Sequence, residues 1–200
     1  MSDNSPYKMS FSTGGLFVNE SVEVARLHGN GEDWKQTILR ALDDGATSLP
    51  KVASNRRSLR EIANRLSCLT DDERHFLTES ADRPEQEALL WLATCRAYRF
   101  VKEFALEVIQ ERYLSHRFDL PLGAFDHFFD AKAEWDDGLA GIRASTRLKL
   151  RQILFRILRE AGIMDTTGRI RPAYLSARLK SLIMQHDPND LLFFPGLRSE

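Results

Sequence analysis

The stretch RASTRLKLRQILFRILREAG, residues 143–162, decides how the rest of the chain is read. At about 100° of helix per residue, Leu150, Ile153, Leu154, Ile157, Leu158 and Ala161 gather into one apolar stripe, which predicts a helix with one side facing a core. Lys149, Gln152, Arg156 and Arg159 share the opposite face. Ser145 or Thr146 is the expected N-cap. The charges run against the helix dipole: Arg147, Lys149 and Arg151 crowd the first turns and Glu160 sits near the C-terminus, each disfavoured by roughly a few tenths of a kcal/mol. An anion would offset that cost, and a nucleic-acid backbone is a large one. A lone cationic helix is more often a solvated surface, so the flanking sequence has to decide.

Behind the helix, Gly162 is the expected C-cap. Ile163-Met164, a turn at Thr166-Thr167-Gly168 and a return at Arg169-Ile170-Arg171 then read as a short hairpin. Ahead of it, Phe125–Trp135 reads as a helix with Asp126, Asp130 and Glu134 recurring every four residues, followed by a turn at Asp136-Asp137-Gly138. Residues 138–144 fit helix or loop equally. Helix, turn, basic helix, glycine and hairpin is the order of a winged helix-turn-helix. In that geometry the second helix enters the major groove, and Arg169 and Arg171 of the wing reach the adjacent backbone or minor groove.

A second basic element, SNRRSLREIANRLSCL at residues 54–69, repeats the charge arrangement. Arg56, Arg57 and Arg60 crowd its first turns, and Leu59, Ile62, Ala63 and Leu66 form its apolar face. Upstream, FSTGG leads into a helix over about 16–28, closed by Gly29-Asn30-Gly31. A glycine pair before a helix can cradle phosphate, but without a following Lys-Ser/Thr the signal is weak, and a turn is the expectation. A helix over about 33–42 precedes a break at Gly45–Pro50. Thr70 and Glu73 form a capping-box pattern, and Asp82, Pro84 and Glu85 start a helix expected to reach Ser115, apolar on so many sides that it belongs at the centre. Pro121 and Gly123 punctuate the next joint, Pro172 is the expected start of a last helix to about Gln185, and LLFFPG (191–196) is apolar enough to fold back. The expectation is an all-α, compact multi-helix bundle with a long central helix and a C-terminal winged helix-turn-helix-like part: helices over 1–118, the winged part over 119–185 and a tail over 186–200.

The net charge of −1 hides an asymmetry, because residues 143–180 carry +8 and the remainder −9. Such segregation suggests a localised anion site. Cys68 and Cys95, set among helical apolar residues, read as buried reduced thiols with no metal spacing. No apolar run approaches the roughly twenty residues of a membrane span, and Met1–Tyr7 lacks the features of a secretion signal, so a cytoplasmic protein without membrane contact is expected.

Catalytic patterns are weak. Asp126, His127, Asp130 and Glu134 would share a helix face suited to a divalent cation, but three acidic groups there are more often solvated or paired with the nearby basic helix. His186-Asp187 resembles a phosphohydrolase pair, yet no further His and carboxylate support it, and Pro188 makes it a turn. HExxH, GxSxG, Walker, dinucleotide and CxxC patterns are absent. No catalytic residue, metal or cofactor is expected.

The chain resembles the BrxA family, a small component of the bacteriophage-exclusion (BREX) defence systems of bacteria. The resemblance rests on SFSTGGLFVNES (10–21), DWKQTILRAL (33–42), RRSLREIANRLSCLT (56–70), LLWLATCRAYRFVKEFALEVI (89–109), STRLKLRQILFRILREAGI (145–163) and LSARL (175–179). Each piece is unspecific alone; their order and spacing are specific. The resemblance implies an all-helical cytoplasmic protein without catalytic residues, encoded beside a DNA methyltransferase and ATPase partners and similar to DNA binders. The basic residues of two matching segments carry over: Arg56, Arg57 and Arg60, and Arg147, Lys149, Arg151, Arg156 and Arg159. Together with Gln152, Arg169 and Arg171 they are the expected contacts to double-stranded DNA. The alternative is an adaptor that docks acidic partner proteins of the defence complex.

Overall fold

The computed structural model describes residues 6–11, 13–29, 31–43 and 52–199, and side chains of all but 52–55 among them. The expected break at Gly45–Pro50, and Asn30 in the first helix closure, lie outside the described residues. The architecture is all-α. In order, the helices are α1 (Val18–Leu27), α2 (Trp34–Asp43), α3 (Val52–Leu66), α4 (Asp71–Glu79), α5 (Arg83–Ala97), α6 (Arg99–Phe104), α7 (Glu111–Leu114), α8 (Leu122–Ala133), α9 (Asp137–Ala140), α10 (Ala144–Glu160) and α11 (Ala177–His186). A π-helical segment, Ala105–Gln110, joins α6 to α7, and a 3-10 segment, Pro188–Phe193, follows α11.

The centre is α5. Asp82 and Glu85 form its capping box and Pro84 sits in its first turn, as the sequence predicts. From Ala88 to Cys95 every residue is buried, and α1, α3, α4, α10 and the 3-10 segment pack around it. Trp91 donates its indole N–H to the Phe193 carbonyl (2.9 Å), which fastens the C-terminal LLFFPG segment to the core. Arg96 ties three elements together through Glu73 (2.6 and 2.9 Å) and Asp190 (2.7 Å), both buried. Phe100 anchors an aromatic cluster with Phe125, Phe128 and Phe129 of α8, at centroid distances of 5.2–5.8 Å.

Three expectations need correction. The central helix to Ser115 is interrupted at Tyr98, whose backbone is extended (φ −131, ψ 105). Its buried hydroxyl donates to Glu61 of α3 (2.6 Å), a tertiary bond that no local pattern announces. The π-helical turn begins seven residues later, at Ala105, and in it Gln110 accepts from the Gly196 N–H (3.0 Å) and donates to the Leu197 carbonyl (2.7 Å). The last helix starts at Ala177, not Pro172, because the Ala173 N–H is drawn to the Pro195 carbonyl and Ser176 is the cap that accepts from the Leu179 N–H. Finally, α10 is capped by neither Ser145 nor Thr146. Its N-cap is Arg143, with no side-chain cap.

Both cysteines are free; Cys95 is buried and Cys68 half-buried, and burial pushes both thiols up. Among the described residues no helix is long and apolar enough to cross a membrane.

Candidate nucleic-acid interface

The apolar stripe of α10 packs inward as its spacing predicts: Leu150, Ile153, Leu154, Ile157 and Leu158 are buried, and Phe155 joins them from beside the stripe. The opposite side divides in two. Arg147 and Arg151 turn toward α8, where Arg147 holds Asp130 (2.9 Å to one oxygen) and Asp126 (3.2 Å), and Arg151 bonds Asp126. The Arg147 guanidinium also lies over Phe129, 4.6 Å from the ring centroid, and donates to the Asp126 carbonyl (2.7 Å). Its hydrogen bonds to Asp130 hold that carboxyl below the usual carboxylate range. The dipole cost of two cations near the N-terminus of α10 is therefore offset inside the chain, by the acidic face of α8. Among the described residues no group of three His, Cys, Asp or Glu side chains could hold a metal ion.

The other half is a continuous exposed stripe of Ser145, Lys149, Gln152, Arg156 and Arg159, at the alternating spacing of four and three that keeps one line along a helix. Arg156 bonds Glu160 (2.7 Å) yet keeps 61% of its side chain exposed. The side chains of Lys149, Gln152 and Arg159 make no hydrogen bond or ion pair among the described residues.

Glu160 is not an uncompensated anion at the wrong helix end. It accepts from the Leu16 N–H (2.6 Å), just before α1, where Gly14 and Phe17 are both left-handed (φ 68 and 57). A Cβ on Gly15 would collide with the Glu160 carboxylate. The Gly15 carbonyl meanwhile accepts from Arg65 of α3 (2.9 Å). The glycine pair thus lets the two basic helices converge on one short loop, a role beyond that of the simple turn expected there.

After α10, Gly162 (φ 68) ends the helix as expected, with Gly162 N–H on Arg159 and Ile163 N–H on Leu158. Met164 then pairs antiparallel with Ile170, and Arg169 with Asp119, so three short segments lie side by side. Asp165 closes the turn by accepting from the backbone N–H of Thr167 (2.9 Å) and Arg169 (3.0 Å). Arg169 and Arg171 project from it, 55% and 63% exposed, with only loose ion pairs to Asp119 (3.8 Å) and Asp165 (3.6 Å). The open stretch before α10 resolves as the single turn of α9, capped by Asp136.

On α3, Arg56, Arg57 and Arg60 are all exposed, while Arg65 is buried at 2% exposure. Arg57 and Arg60 line one cleft beside the glycine loop; Arg156, Arg159 and Arg83 line another on its far side. Lys8, Asn64 and Arg83 are cleft residues that periodicity did not single out, because each is brought in by tertiary contact. The signal that pointed toward them is the Gly14-Gly15 pair.

The chain is similar to known proteins in sequence and in fold. The BREX protein BrxA of Escherichia coli O9:H4 (strain HS) is 26% identical over 184 residues, covering 90% of this chain and 84% of the relative. The crystal structure of an uncharacterized protein from Magnetospirillum magneticum superposes with a TM-score of 0.78 at 20% identity, over 95% of this chain and 98% of that one, which shows a shared fold. The BrxA family model matches residues 5–187, and the chain belongs to the BrxA family.

Proposed function

We propose that the protein is a non-enzymatic, double-stranded DNA-binding component of a BREX-type phage defence system, acting in the cytoplasm beside its methyltransferase and ATPase partners. The observation that carries this reading is the exposed stripe of α10, in which the side chains of Lys149, Gln152 and Arg159 have no protein partner among the described residues although Arg147 and Arg151 nearby are paired with the carboxylates of α8. Arg169 and Arg171, on the turn that follows, are the wing contacts of a winged helix-turn-helix. The contacts are mainly to phosphate, which gives weak sequence preference and strong salt dependence. Replacing Lys149, Arg156 and Arg159 by Glu weakens binding to all duplex sequences alike, and the slope of log affinity against log salt flattens by about one per lost contact. An unchanged slope in a salt titration removes this face from the reading.

A second reading, an adaptor whose basic face docks acidic partner proteins, draws on the same unpaired side chains of Lys149, Gln152 and Arg159. Recovery of partners from cells carrying the defence operon, with and without nuclease, separates the two. Recovery that survives nuclease favours the adaptor.

A further inference from the structure

We propose that the cleft bounded by Lys8, Ser10 and Thr13 on one side and by α3 on the other is a phosphate-binding site, distinct from the exposed stripe of α10; only where its phosphate belongs to DNA does it rest on the duplex reading given to that stripe. The cleft, about 450 Å3, is open on one side. Lys8, Arg57 and Arg60 supply its cations, and Ser10, Thr13 and Asn64 its uncharged donors. Glu61 also lines it, but its carboxylate is spoken for on both oxygens, by Arg65 Nε (2.8 Å) and by the Tyr98 hydroxyl (2.6 Å). With the charge of Glu61 offset by buried Arg65, the three positive charges in the cleft have no balancing anion among the described residues.

The wall behind these cations is rigid and polar. Tyr98 accepts from Asn64 Nδ2 (3.3 Å) and lies 3.5 Å from Ser10 Oγ, so a hydrogen-bonded set runs from the loop through α3 to the break between α5 and α6. Burial, and then the neighbouring Glu61 charge, push the Tyr98 hydroxyl well above its usual range, so it remains a donor to Glu61 and does not add charge. Arg65, in contact with that wall, holds Glu61 and the Gly15 carbonyl and keeps its Nη2 buried without a partner. Lys8, itself exposed, donates to Asn64 Oδ1 (2.7 Å), which places its ammonium beside α3. The side chains of Arg57 and Arg60 make no bond among the described residues, although they stand one turn apart on the cleft side of α3. Two guanidinium forks lining one cleft, with hydroxyl and amide donors beside them, suit the tetrahedral oxygens of a phosphate, whereas a flat carboxylate would use only part of the set.

The phosphate comes either from a free small molecule or from the backbone of DNA that also meets α10, and one experiment distinguishes these sources. Inorganic phosphate is titrated calorimetrically at constant ionic strength against the wild type, against Arg57→Gln/Arg60→Gln and against Lys149→Gln/Arg159→Gln, and the same three proteins are titrated with a duplex across a salt series. Saturable phosphate binding that weakens tenfold or more in the α3 variant and is unchanged in the α10 variant establishes a site for free phosphate. No saturable phosphate binding, but a duplex salt slope flattened by about two in the α3 variant, establishes the same site with backbone phosphate as its occupant. Phosphate binding that persists in the α3 variant, or loss of neither signal in it, overturns the site. Failure of the α10 reading looks different: a duplex slope untouched by Lys149→Gln/Arg159→Gln. The α3 substitutions are at exposed positions, and an unchanged thermal midpoint, together with recovery of binding in Arg57→Lys/Arg60→Lys, separates lost contacts from lost folding.

Discussion

Arg151 and Arg159 lie two turns apart on α10, both arginines on a basic helix, and the structure gives them opposite work. Arg151 is only 22% exposed and bonds Asp126, itself 32% exposed, whereas Arg159 is exposed and unpaired among the described residues. Arg151→Gln is therefore expected to cost about 1–3 kcal/mol of folding stability in urea titrations and to leave the duplex salt slope unchanged. Arg159→Gln is expected to change stability by less than about 0.5 kcal/mol and to flatten the slope by about one. A flattened slope in Arg151→Gln contradicts this division. Asp130 adds a pH signature. Because Arg147 depresses its carboxyl in the folded state, the pairing contributes stability above the unfolded value of about 3.9, and that contribution is lost as pH falls through the lower folded value. Asp130→Asn should accordingly flatten the acid side of the stability profile while leaving a remaining decline from other carboxylates.

How far helices can be read from sequence depends here on whether their determinants are local. The faces of α10 and α3, the capping boxes of α4 and α5 and the glycine end of α10 all follow from spacing within one or two turns, and all are present. The break at Tyr98, the delayed start of α11 and the pairing of Arg147 and Arg151 with α8 are set by contacts between distant residues, which periodicity does not carry. Glu160 is the sharpest case: read along its own helix it opposes the dipole, and read in space it accepts from the Leu16 N–H ahead of α1. Gly15 is the joint on which this depends. Gly15→Ala puts a Cβ into the Glu160 carboxylate and is expected to cost about 1–3 kcal/mol, a drop of about 2–4 °C in thermal midpoint per kcal/mol. Glu160→Ala alone gives up the hydrogen bond to Leu16 but removes the obstacle. The double variant should be less destabilised than the sum of the two single ones, measured by thermal unfolding, and strictly additive losses would mean that the two residues do not meet.

The C-terminal segment closes the bundle over its central helix, and LLFFPG announces as much by its apolarity, though not its partners. Leu191, Phe193 and Phe194 are buried, the Phe193 carbonyl takes the Trp91 indole N–H, Asp190 holds Arg96, and Gln110 bonds the Gly196 N–H and the Leu197 carbonyl. These bonds span 86–102 residues of chain, so the closure is a property of the completed tertiary structure. Ending the chain at Asp187 would expose the apolar side of α5, strand the Trp91 N–H and the Gln110 amide, and leave Arg96 with Glu73 but without Asp190, each unsatisfied group costing about 1–3 kcal/mol where it stays buried. Against a typical total of about 5–15 kcal/mol, that loss should abolish cooperative unfolding. The measurement is tryptophan emission in a chain carrying Trp34→Phe and Trp135→Phe, where Trp91 alone reports. The full-length chain should emit as a buried indole up to a sharp urea transition, and the truncated chain should emit at longer wavelength already in water, with no transition. An unshifted spectrum and an unchanged midpoint would mean that α5 is held by the surrounding helices alone and that the C-terminal segment covers a core already closed.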